Sequence, residues 1–89
     1  MAVSPPDELT EMAQEELNAA CALTWPELKR ITPWGDTFEG FSPSGRTVEV
    51  ERRYLWALDP AGAIVVEVEV RDAAARTGVE ARALLHAPG

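Results

Sequence analysis

A chain of 89 residues has room for one domain and one core, and it buries only about 60–65% of the surface its unfolded form exposes. With 46% apolar and 26% charged residues the composition is globular rather than disordered, and no apolar run approaches the roughly 18 residues of a membrane span. The net charge of −7 sits mostly in residues 1–45, where eight acids face only Lys29 and Arg30, so the chain repels phosphate backbones and no direct nucleic-acid binding is expected.

From the N-terminus, Ser4-Pro5-Pro6-Asp7 reads as a helix start, with Ser4 as cap and Pro5 in the first turn. Leu9, Met12, Ala13, Leu17, Ala20 and Cys21 then fall on one helical stripe, with Glu16 at its edge and Glu8, Glu11 and Glu15 elsewhere. The helix is expected to end near Leu23, because Pro26 disfavours helix at Trp25. Thr24-Trp25-Pro26-Glu27 repeats the capping spacing, which predicts a second short helical segment through Leu28 and Ile31.

Two turns share one chemistry. Ser42-Pro43-Ser44-Gly45 and Asp59-Pro60-Ala61-Gly62 each place Pro where a type I turn wants φ near −65°, with Gly for the left-handed residue that follows. Three-residue loops would set Phe38 opposite Val50 and Asp36 opposite Arg52. In the next hairpin they would set Trp56 opposite Val66, Tyr54 opposite Val68, Arg53 opposite Glu69 and Glu51 opposite Arg71. After a helical turn over Ala73 to Arg76 stopped by Gly78, residues 79–87 alternate as a fourth strand, with Arg71 facing Glu80 and Glu69 facing Arg82. The expected fold is α+β: an N-terminal helix packed on one face of a four-stranded antiparallel β-meander, order 1-2-3-4. A single domain over residues 1–89 is expected, with residues 1–6 expected to be loose. A helix followed by such a meander resembles the cystatin-like and PepSY-like arrangements, a likeness of fold outline that transfers no function.

Cys21 is the only cysteine, so no internal disulfide forms, and Met1 to Glu8 lack the basic and apolar regions of a secretory signal. Lys29 is the only lysine in an Arg- and Ala-rich chain, a bias that fits a GC-rich bacterial genome. A bacterial cytoplasmic protein is expected, without membrane attachment.

Two groups of residues stand out. Asp36 and Arg52 are charges on the core-facing side. They read either as a structural ion pair, joined by Glu16, or as a ligand-recognition site with Tyr54, Trp56 and the loop residue Trp34 around it. Leu55, Ala57, Val65 and Leu84, bordered by His86, gather at one end of the otherwise charged outer face and read either as scattered surface residues or as a partner surface. The acidic helix face of Glu8, Glu11 and Glu15 reads as a solvated face, and Cys21 as a small buried hydrophobe. One His and one Cys do not build a zinc site, no spacing supports a Cys21–His86–Asp36 grouping, and no P-loop, dinucleotide or nucleophile-elbow motif occurs. No cofactor, metal or catalytic residue is expected. The leading expectation is a non-catalytic module that binds a protein partner or pairs with itself as a homodimer; the alternative is a small-molecule binder or minor enzyme with an aromatic pocket between helix and sheet around Arg52.

Overall fold

The computed structural model describes residues 8–58 and 62–87. The expected cap at Ser4 to Asp7 and most of the Asp59–Gly62 turn lie outside them. The element order is α1 (Glu8–Cys21), α2 (Trp25–Ile31), β1 (Gly35–Phe41), β2 (Thr47–Trp56), β3 (Ile64–Asp72) and β4 (Thr77–Leu85). All four strands form one antiparallel sheet in the order β1-β2-β3-β4, with α1 across β3 and β4. No helix among the described residues is long and apolar enough to cross a membrane.

The periodicities of 3.6 and 2 bring one apolar surface to each layer. Leu9, Ala13, Leu17 and Ala20 of α1 bury against Val48 and Val50 of β2 and Ile64, Val66, Val68 and Val70 of β3; these valines and the isoleucine are almost wholly inaccessible. Helix α1 ends two residues earlier than expected. The Thr24 hydroxyl then accepts from the Glu27 N–H while the Glu27 carboxylate accepts from the Thr24 N–H, the capping box that starts α2. At its other end the Thr32 hydroxyl donates to the Leu28 carbonyl at 2.7 Å.

The first hairpin has the expected register, with Phe38 opposite Val50 and Asp36 opposite Arg52. Gly45 takes φ 93°, the left-handed position that its lack of a Cβ permits, and the Ser42 N–H donates to the Arg46 carbonyl at 2.8 Å. The other two pairings differ from expectation by two residues. Tyr54 faces Val66 rather than Val68, Arg53 faces Glu67, and Glu51 faces Glu69. Across β3 and β4, Val70 faces Val79, Glu69 faces Glu80 and Glu67 faces Arg82.

A two-residue slip leaves every side chain on its own face, so alternation cannot detect it. What favours the observed register is burial: Val50 meets Val70 instead of Asp72, and Leu58, expected in the ladder, stays 92% exposed in the loop. Asp72 is then free to organise the last turn. Its Oδ1 accepts from the Ala74 and Ala75 N–H groups, and its carbonyl accepts from the Arg76 N–H. Arg76, at φ 58°, occupies the left-handed position expected of Gly78, which instead lies inside β4.

A carboxylate fastens α1 to the first hairpin. Glu8 accepts from the Ser44 N–H at 3.0 Å, the Ser44 hydroxyl at 2.5 Å and Arg46 Nε at 2.7 Å, and Arg46 continues to Asp72 at 3.0 Å. The Ser44 hydroxyl, helped by Arg46, holds the Glu8 carboxyl down from 4.5 to about 2. A carboxyl lowered on folding contributes stability that is complete above its unfolded value and lost as pH falls through its folded value. The stability difference between wild type and Glu8→Gln, from urea unfolding, is therefore expected to be full near pH 6, to shrink below about pH 4.5 and to vanish near pH 2. A gap that stays constant with pH would show that Glu8 acts by shape alone.

Candidate functional site

Asp36, Arg52, Trp34 and Tyr54 come together with Ile31 and Gly35 around a surface pocket of about 230 Å³. It lies at the β1 corner, past the end of α2, and not beneath α1. Trp56, the remaining residue of that group, packs against the core instead. Arg52 grips Asp36 through both Nε and Nη2, approaches Glu16 at 3.5 Å and lies 5.1 Å above the Phe38 ring. The guanidinium holds the Asp36 carboxyl below its usual range, and burial pushes the Tyr54 hydroxyl up. Trp34 is 69% exposed at the rim.

Asp36 lies on β1 and His86 follows β4, at opposite edges of the sheet, so the topology keeps these two apart from any shared site. The Cys21 thiol is partly buried and raised by desolvation, opposite to what a reactive thiolate requires. Among the described residues no three His, Cys, Asp or Glu side chains are placed to hold a metal ion.

The outer face carries the more extended arrangement. Leu55 faces Val65 and Val65 faces Leu84, so one side chain from each of three neighbouring strands forms an apolar row. Leu55 is 39% and Leu84 52% exposed. Ala57 lies just beyond β2, its N–H donating to the Ala63 carbonyl, and His86 is exposed just beyond β4. The next row is Arg53–Glu67–Arg82, and the one after it is Glu51–Glu69–Glu80, three carboxylates side by side.

Two guanidiniums hold this acidic row. Arg53 meets Glu51 and Glu67 at 3.0 Å, Glu80 at 2.9 Å and Glu69 at 3.7 Å. Arg71 meets Glu69 at 2.8 Å, Glu51 at 3.2 Å and also Glu49. Hydrogen bonds from Arg53 and then Arg71 hold the Glu51 carboxyl below its usual value. With Glu39 and Glu49, six carboxylates on this face stand against Arg53, Arg71 and Arg82. Parity along the strands is enough to assign Leu55, Val65 and Leu84 to the outer face, but only the observed register puts them in one row. The exposed Phe41, at the β1 end of the same face, has no signal in the sequence beyond that parity.

No family model, curated protein or solved structure matches this chain.

Proposed function

We propose that the chain is a non-catalytic protein-interaction module whose outer sheet face receives a partner with an apolar contact surface bordered by basic side chains. One juxtaposition supports the reading: the row Leu55–Val65–Leu84 shares a sheet face with six carboxylates and three guanidiniums, the acidic row Glu51–Glu69–Glu80 lying two places along the strands beyond Arg53–Glu67–Arg82. An apolar strip supplies contact area, and the net acidic field of the whole face selects the sign of the partner's charge and speeds encounter. The ligand-binding reading draws on exposed Trp34. It is the weaker, because Arg52 is already engaged by Asp36 and Glu16, and about 230 Å³ is below the roughly 300–1,000 Å³ of small-molecule sites.

The test places a photo-crosslinking amino acid at position 55, or at position 15 on α1 as control, in cells that make the protein naturally. Discrete adducts from position 55 only are expected, and Leu84→Glu is expected to remove them with little change in melting temperature. Equal adducts from both positions, or none, would refute the proposal. A small molecule retained in native mass spectrometry and lost in Trp34→Ala would move the function to the pocket.

A further inference from the structure

A second surface of this protein is complementary to itself. β4 is an edge of the sheet. Natural edge strands are commonly short, bulged, or guarded by lysine or proline, because their free N–H and C=O groups recruit other strands. β4 is neither short nor bulged and holds no lysine or proline. It runs nine residues, pairs with β3 without a bulge from Thr77 to Leu85, and carries only Glu80 and Arg82 as charges.

We infer that two copies of the chain pair antiparallel through their β4 edges, joining the two sheets into one of eight strands. This goes beyond the outer-face reading and does not depend on it. Keeping both helices on one side of the joined sheet requires like faces to oppose, so the two-fold axis passes through a residue and not between residues. Centred on Glu80 or on Arg82, it sets a charge against its own copy. Centred on Ala81, it sets Glu80 of each copy against Arg82 of the other, two reciprocal ion pairs on the outer face. Ala81 is also the middle of Thr77–Leu85, so the register with matched charges is the one that pairs the whole strand.

The helices fit the same geometry. α1 rests on both β3 and β4, and strands lie about 4.8 Å apart. Two such helices on the joined sheet are then roughly 9.6 Å apart, within the 8–10 Å of packed helices. Between α1 and the β4 edge runs an open groove of about 500 Å³, lined by Thr10, Ala13, Gln14 and Leu17 from the helix and by residues 79–82 from the strand. The flank that would meet the second helix is therefore uncharged. Glu11 and Glu15 lie further round α1, so the charge of −7 on each chain does not concentrate at this junction.

Sedimentation equilibrium of the wild-type chain is expected to give the mass of two chains. Arg82→Glu and Glu80→Arg, each placing like charges across the junction twice, are each expected to weaken association by roughly 100-fold. The double variant E80R/R82E restores opposite pairs and is expected to dimerise again. Mixing the two single variants is expected to give a heterodimer, since one then carries two acids and the other two bases. The restoring combinations separate recognition from folding, because they keep the substitutions that could unsettle the pairs of Glu80 with Arg53 and Arg82 with Glu67. A wild-type monomer at every concentration, or a dimer indifferent to R82E, overturns the inference. A dimer lost in Leu55→Glu and kept in R82E also overturns it, and assigns self-association to the outer face.

Discussion

Leu9→Ala is expected to lower the unfolding free energy by about 3 kcal/mol, within the range of roughly 2–5 kcal/mol for a leucine deleted from a packed core. Leu9 is 1% exposed and is among the largest fully buried side chains. A helix end can often fray to close a void, but here Glu8, the preceding residue, is tied to Ser44 and Arg46. The first turn of α1 is thus held over the sheet and the void persists. A domain of this size has a stability of order 5–13 kcal/mol, so the loss is a large share of it and corresponds to a drop in Tm of about 12–24 °C. Leu58→Ala, at a position almost fully in solvent, is the control and is expected to change stability by less than about 0.5 kcal/mol. A Leu9 variant that melts like the control would mean that α1 contributes little to holding the sheet.

Arg53→Met is expected to cost about 2 kcal/mol at neutral pH, and this cost shrinks on acidification. Arg53 reaches Glu51, Glu67, Glu69 and Glu80, and its guanidinium is held protonated above its usual range mainly by the bond to Glu67. In the wild type the Glu51 carboxyl is lowered, so its contribution is present above the ordinary carboxyl value and lost as pH falls through the folded one. Removal of Arg53 takes away the larger cause of that shift and leaves Arg71 as the one guanidinium bridging Glu51 and Glu69, so the variant has less charge-dependent stability to lose. Urea unfolding at pH 7 and again below the ordinary carboxyl range tests this: the wild type is expected to lose more stability on acidification than the variant, so that the gap between them narrows. An equal cost at both pH values would assign the role of Arg53 to the packing of its aliphatic stem.

The degeneracy of even slips explains which parts of this molecule were legible in its sequence. Turn chemistry is local, so Pro43 and Gly45 specified the first hairpin and its register without help from the core. Alternation is also local. It determined the four strands, their order through short connections, and the face on which each residue lies. The shared face of Asp36 and Arg52 and the outer-face position of Leu55, Val65 and Leu84 follow from that parity, and the approach of Glu16 follows from its place at the edge of the helical stripe.

What parity leaves open is a slip by two, because apolar residues on the inner face and charges on the outer face both repeat every second position. Arg53 finds a glutamate opposite it in either register, but Glu51 meets Arg71 in the expected one and Glu69 in the observed one, so direct charge pairing favoured the register that burial overrode. Only the tertiary structure decided it, by burying Val50 against Val70 under the helix-covered layer and by giving Asp72 three backbone N–H groups and Arg46 to hold. That choice aligned Leu55, Val65 and Leu84 into one apolar row and set the acidic row beyond Arg53–Glu67–Arg82. The sequence by itself determined which residues share a surface; the core, through the burial of a few valines, determined which of them are neighbours.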